Sequence, residues 1–208
     1  PRLQIVQRLL CAYANVSMAK GLSGQLSAAE WKKLMLASDK LKKSQIYIDD
    51  SSRVTPAEIL SKCRRLKTVA GGVDMIMIDY IQLMTGGSSN MAGSENRQQE
   101  IASITRDLKI MAKELNVPVI TLSQLSRGPE SRSDHRPMLS DLRESGSIEQ
   151  DADIVLFLYR EAYYEKDRDD QSEAECIVAK NRHGETGSIN LRWDGRYTRF
   201  FSVDRNRE

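Results

Sequence analysis

Met75-Ile76-Met77-Ile78-Asp79, continuing as Tyr80-Ile81-Gln82-Leu83-Met84, decides how the rest of the chain reads. Four apolar residues without polar alternation predict a strand covered on both faces, as in a parallel sheet flanked by helices. A carboxylate placed directly after such a run lies beyond the strand's C-terminal end, the edge where ligands of open α/β sheets bind. Asp79 is therefore a candidate to hold Mg²⁺, directly or through water, beside the β- and γ-phosphates of a nucleotide. A strand-end aspartate that only caps a turn has the same local pattern, so the run by itself admits both readings.

Two further apolar runs have the same texture. Val117-Pro118-Val119-Ile120-Thr121-Leu122 predicts a buried strand, with Pro118 near its start where a missing N–H is tolerated. It ends on Ser123-Gln124. A glutamine there has both a donor and an acceptor and can sense a γ-phosphate or orient a water; an ordinary polar strand terminus is the plainer alternative. Ile154–Tyr159 is the third run. Helical patterns separate them. They cover 1–14, Ser27–Lys43 with Ser27 as cap and Trp31, Leu34, Leu36 and Leu41 as apolar positions, and Glu95–Leu115. Another starts at the capping box Thr55-Pro56-Ala57-Glu58, runs to about Val69 and ends at Gly71-Gly72. A connection is expected at Gly21–Gly24, a short strand at Ile46–Asp50 and a polar loop over Thr85–Ser94. After an exposed acidic stretch, Glu161–Glu175, strands are expected at Cys176–Lys180, Ser188–Trp193 and Thr198–Val203. Turns at His183-Gly184 and Asp194-Gly195 join them. The predicted architecture is one α/β domain over residues 1–208, a mostly parallel sheet with helices on both faces and C-terminal antiparallel hairpin strands.

Composition narrows the function classes. The net charge is only +2 over 208 residues, so a nucleic-acid contact has to come from local patches. Cys11, Cys63 and Cys176 are scattered with no metal-ligand spacing, which fits reduced thiols and not a structural zinc. No stretch approaches the ~20 apolar residues of a membrane span, and no secretory signal pattern is present, so a cytoplasmic protein without a membrane partner is expected. The chain opens at Pro1 directly on a helical pattern, from which a fragment is expected.

Two basic stretches remain. Lys180-Asn181-Arg182 puts two cations on one side of a strand. From a hairpin tip they could reach the phosphates of a nucleotide held by a neighbouring subunit, as an arginine finger does; a solvated basic hairpin has the same spacing. Arg127 to Glu149 alternates cations with acids. Within it Arg143-Glu144-Ser145-Gly146 offers charge, a hydroxyl and a glycine where backbone N–H groups can approach phosphates, which suits contact with a nucleic-acid backbone and not base reading. No aromatic interleaving points to base stacking.

Taken together, these segments resemble the C-terminal ATPase domain of the bacterial DnaB-type replicative DNA helicases. The resemblance rests on Asp79–Met84, on Asn96-Arg97-Gln98-Gln99-Glu100, on Val117–Arg127, on Ser140–Asp153 and on Lys180–Gly187, so it extends over nearly the whole chain. It implies a RecA-like fold, a ring of six subunits, ATP and Mg²⁺ bound between neighbours, and 5′-to-3′ movement along single-stranded DNA. It places Asp79 beside Mg²⁺, Gln124 as the sensor between ATP and DNA, and Lys180 and Arg182 in trans on the next subunit's ATP. It puts Arg143, Glu144 and Gly146 on the DNA phosphates, with Arg127 nearby, and makes Gly86–Gly93 a second loop in the central channel. Primase and a helicase loader are the partners it implies. His183 and Glu185 stand where the family commonly has asparagine and proline. No G-x-x-x-x-G-K-[ST] loop occurs in the 208 residues, and the family's catalytic glutamate is also missing, so the chain by itself is expected to lack activity. A recombinase-like ATPase and a non-catalytic docking or oligomerisation module are the alternatives.

Overall fold

The structure is a computed structural model and describes residues 2–86, 94–142, 146–165, 167 and 169–203. Among these, the helices in chain order are α1 (Arg2–Ala14), α2 (Met18–Ser23), α3 (Ala28–Lys43), α4 (Pro56–Ala70), α5 (Ser94–Leu115), α6 (Gly128–Ser131) and α7 (Gly146–Asp151). The strands are β1 (Ile76–Ile78), β2 (Val119–Thr121), β3 (Ile154–Tyr159), β4 (Glu173–Asn181), β5 (Gly187–Asp194) and β6 (Arg199–Ser202). The chain divides into two compact units. One comprises Pro1–Asp50, Arg160–Cys176 and Ile189–Glu208; the other comprises Ser51–Tyr159 and Ile177–Ser188.

In the first unit α1 and α3 close over a small core of Cys11, Ala14, Val16, Leu34 and Ala37. Ser27 caps α3: its hydroxyl accepts from the Glu30 N–H at 3.2 Å, and the Glu30 carboxylate accepts from the Ser27 N–H at 2.9 Å. The Ser27 N–H, and then Lys20 at 2.9 Å, hold the Glu30 carboxyl down at about 2. Trp31 and Leu36, expected on the apolar face of α3, are exposed; the face that packs runs through Leu34 and Ala37. The expected connection at Gly21–Gly24 is largely helix α2, which stops at Gly24 in a left-handed conformation, φ 73°. A side chain at Gly21 would meet the Cys11 Sγ at 2.8 Å, so close packing and not a turn accounts for this glycine. The strand expected at Ile46–Asp50 does not form: these residues carry no regular structure, and Ile46 and Tyr47 are exposed, with no strand bridged to them. In the same unit β5 and β6 pair antiparallel, Leu191 opposite Ser202 through Asp194 opposite Arg199. The Trp193 and Phe200 rings lie 4.7 Å apart.

The second unit contains the parallel pair. β1 and β2 align Ile76 with Val119 and Ile78 with Thr121. One face of the pair is covered by α4 and α5. Ile101, Ile104, Leu108, Met111 and Leu115 recur on one stripe of α5 and meet Cys63, Ile76, Ile81 and Met84. The capping box expected at Thr55 is formed, with Glu58 as its partner at 2.8 and 3.2 Å. Ile104 is fully buried, so Ile104→Ala is expected to cost about 2–5 kcal/mol, read as a lower urea midpoint at unchanged slope.

Two expectations about the sheet are corrected. The four-stranded sheet runs in the order β3-β4-β5-β6, separate from β1-β2, so the strands do not form one continuous sheet. The apolar runs are also not covered on both faces. In β3, Val155, Phe157 and Tyr159 are buried while Ile154, Leu156 and Leu158 face outward, Leu158 at 60 % exposure. Met75 and Met77 on the β1 side, and Ile120 and Leu122 on the β2 side, are likewise exposed, Met77 at 61 %. A run of apolar residues records that both faces want cover, but not that the same stretch of polypeptide supplies it.

Candidate functional site

Parallel pairing brings the C-terminal ends of β1 and β2 to one edge, and the residues beyond them are laced together. The Leu122 N–H donates to the Ile78 carbonyl at 2.9 Å, and the Ile81 N–H donates to the Leu122 carbonyl at 2.9 Å. Asp79 and Gln124 therefore leave neighbouring strands at the same edge. Both are exposed, and among the described residues neither side chain has a hydrogen-bond or ion-pair partner, as groups kept for a ligand would require.

Gln82, which no sequence pattern singles out, organises this edge. Its Nε2 donates to the Ser123 hydroxyl at 3.0 Å and to the Gln124 carbonyl at 3.5 Å, while its Oε1 accepts from the Gln124 N–H at 3.2 Å. Arg97 holds the same segment from behind, donating to the Gln82 carbonyl at 2.7 Å and the Met84 carbonyl at 3.3 Å and pairing with Glu100. Glu100 in turn accepts from the Gly86 N–H at 2.8 Å. That N–H and the Arg97 guanidinium hold the Glu100 carboxyl below its ordinary value. The one signal of this network in the sequence is an arginine and a glutamate three apart on a helix, a spacing that lets side chains meet.

Lys180 and Arg182 lie elsewhere in the same unit, on the last turn of α7. Lys180 Nζ donates to the carbonyls of Glu149 and Gln150, the second at 3.2 Å. Arg182 reaches the Gln150 carbonyl at 3.4 Å and the Asp153 carboxylate at 3.3 Å. Helix C-termini present unpaired carbonyls and partial negative charge, so both cations are favoured there. The pair thus points to one side, as the spacing predicts. No hydrogen bond or ion pair among the described residues joins it to Asp79 or Gln124. Asp153 also takes Lys109, which with Arg182 keeps its carboxyl low.

Of the expected DNA-contacting residues, Arg127 is exposed just before α6 and Gly146 opens α7 at an exposed position. Arg143 and Glu144 lie outside the described residues, as does most of the Gly86–Gly93 loop. The segment that leads to Arg143 is anchored by Asp141, which is 3 % exposed and accepts a two-pronged contact from Arg132.

The sequence matches the family described as DnaB-like helicase C terminal domain over residues 1–202. The chain belongs to this family. The Bacillus subtilis (strain 168) replicative DNA helicase DnaC is 49 % identical over 202 residues, and the Geobacillus stearothermophilus replicative DNA helicase DnaB 48 % over the same length. In both cases the match takes in 97 % of this chain and 44 % of the relative, so the chain spans less than half the length of the curated relatives it matches. Among solved structures, an isolated ATPase domain superposes with a TM-score of 0.90 at 39 % identity, covering 98 % of this chain and 72 % of that one. A DnaB-like replicative helicase, whose structure was described with its interactions with primase, superposes with a TM-score of 0.88 at 40 % identity, covering 96 % of this chain and 48 % of that one. The DnaB-like helicase C-terminal domain has here the RecA-like α/β fold expected from its sequence. No helix among the described residues is long and apolar enough to cross a membrane.

Proposed function

We propose that this DnaB-like domain is the motor of an ATP-dependent replicative DNA helicase that works in the cytoplasm as a ring of six copies and moves 5′ to 3′ along single-stranded DNA. Primase and a loader are the partners of the intact protein. The observation that carries the reading is the shared edge of β1 and β2, where an unpartnered carboxylate and an unpartnered carboxamide stand on adjacent strand ends.

Among the described residues no three His, Cys, Asp or Glu gather as a metal cage. A single exposed carboxylate suits Mg²⁺, which keeps several waters and takes other oxygens from phosphate, and Asp79 is the residue that would hold it. When bound, the ion neutralises charge on the β- and γ-phosphate oxygens. Gln124 faces the same phosphates and senses whether the terminal one is present. Lys180 and Arg182 of a neighbouring copy supply positive charge where negative charge develops. Arg143, Glu144, Gly146 and Arg127 contact the DNA backbone, so movement is nearly independent of sequence and weakens with salt.

In the full-length protein, Asp79→Asn should lower unwinding of a forked duplex by about 10²-fold or more, the scale of losing one well-placed electrostatic group. Unwinding at the wild-type rate would remove Asp79 from the site. One observation favours a second reading for the chain on its own: it contains no phosphate-binding loop, so alone it serves as an assembly module. Calorimetric titration of this chain with ATP should show no micromolar binding, and such binding would overturn that reading.

A further inference from the structure

We propose that Gln82 is the positioning residue of Gln124, and that Arg97 and Glu100 extend this hold to Gly86, so that the sensor and the root of the following loop move as one body. The inference rests on the reading of Gln124 as the sensor and adds what sets it.

Gln124 lies just past the end of β2, where sheet pairing no longer holds the backbone. Its side chain is exposed, so packing does not fix its direction. What fixes the residue is its main chain. The half-buried carboxamide of Gln82 accepts from the Gln124 N–H and donates towards its carbonyl, the two contacts that a paired strand would make. A third bond, to the Ser123 hydroxyl, fixes which way the carboxamide faces. Only a side chain with one donor end and one acceptor end can do this. A carboxylate would place two acceptors against an oxygen, and a methionine of similar length would fill the space without either bond.

The main chain of Gln82 is fixed in turn. Arg97 grips its carbonyl and that of Met84 with the two ends of one guanidinium, a planar fork that lysine cannot reproduce. Glu100 pairs with Arg97 and takes the Gly86 N–H. A side chain at Gly86 would come within 3.0 Å of the Glu100 side chain, so that contact is close on both sides. The chain of bonds Gln124–Gln82–Arg97–Glu100–Gly86 contains no break, and a shift at either end is passed to the other.

The test is a double-mutant cycle in the full-length protein, reading ATP turnover stimulated by single-stranded DNA. Gln82→Met should lower kcat by about 10–100-fold, the cost of misplacing a working group by an ångström or so, with KM for ATP changed less than about twofold. Gln124→Ala should lower kcat as well. In the double variant the loss should equal that of Gln124→Ala alone, because Gln82 acts only through Gln124. Losses that multiply would overturn the proposal, as would unchanged kcat in Gln82→Met when Gln124→Ala is impaired. If Gln124→Ala turns over normally, the sensor reading falls and takes the proposal with it. Should Gln82→Met not fold, Gln82→Glu takes its place in the cycle with the same expectations. A purely structural role for Gln82 would lower the melting temperature and leave the two losses independent.

Discussion

Arg182→Ala in the full-length protein should cut ATP turnover of the assembled ring by about 10³–10⁵-fold, the range over which arginine fingers act in trans. The geometry within one subunit makes this residue the better candidate of the pair. Arg182 is 48 % exposed and its partner Asp153 nearly as open, and ion pairs of that kind contribute little to stability. The guanidinium can therefore exchange Asp153 for a polyphosphate on a neighbour at small cost. Lys180 is half-buried and already satisfied by two carbonyls of α7, so its first duty is local. For the same reason Arg182→Ala should leave the melting temperature nearly unchanged, which separates lost chemistry from lost folding. A mutant ring that hydrolyses ATP at the wild-type rate would remove the finger assignment.

Asp141→Ala should destabilise its unit by about 3–5 kcal/mol, the cost of breaking one partner out of a buried ion pair. Asp141 accepts from Arg132 through both oxygens and from the Met138 N–H at 2.8 Å, while its own carbonyl takes the Ser126 N–H at 2.7 Å. Removing the carboxylate strands the guanidinium and the amide together. Gly128 lies against it so closely that a side chain there would stand 2.5 Å from Oδ1, so the site has no room to rearrange. Urea unfolding measures the loss; a change under about 1 kcal/mol would mean that the pair contributes no more than a surface one. The bond from Arg132 holds the Asp141 carboxyl below its ordinary value. Its contribution is therefore complete above the unfolded-state value of about 4 and disappears as the pH falls through the lower folded one. The stability gap between wild type and Asp141→Asn should close in that acid window.

What was legible in the sequence was local or periodic. Ser27 with Glu30, and Thr55 with Glu58, announce helix starts because the chemistry of a cap lies within four residues. The stripe Ile101, Ile104, Leu108, Met111 and Leu115 announces its buried face. Asp79 and Gln124 could be placed on a common edge because apolar runs imply parallel strands, and parallel strands end together. What was not legible depends on partners far along the chain. Gln82 is 42 residues from the peptide it fixes, and the Arg132–Asp141 pair lies inside a stretch that reads as a solvated loop. At Ile46–Asp50 the apolar, β-branched pattern was present but no strand pairs with it.

Ile154, Leu156 and Leu158, with Met77, Ile120 and Leu122, leave oily strand faces turned to water. Surfaces of this kind draw together in solution unless something shields them. A polypeptide carrying these strands needs a shield before it can persist as a dispersed species. For this region, acquiring shape and acquiring company are the same event, and the temperature at which it melts depends on how much of that company is present.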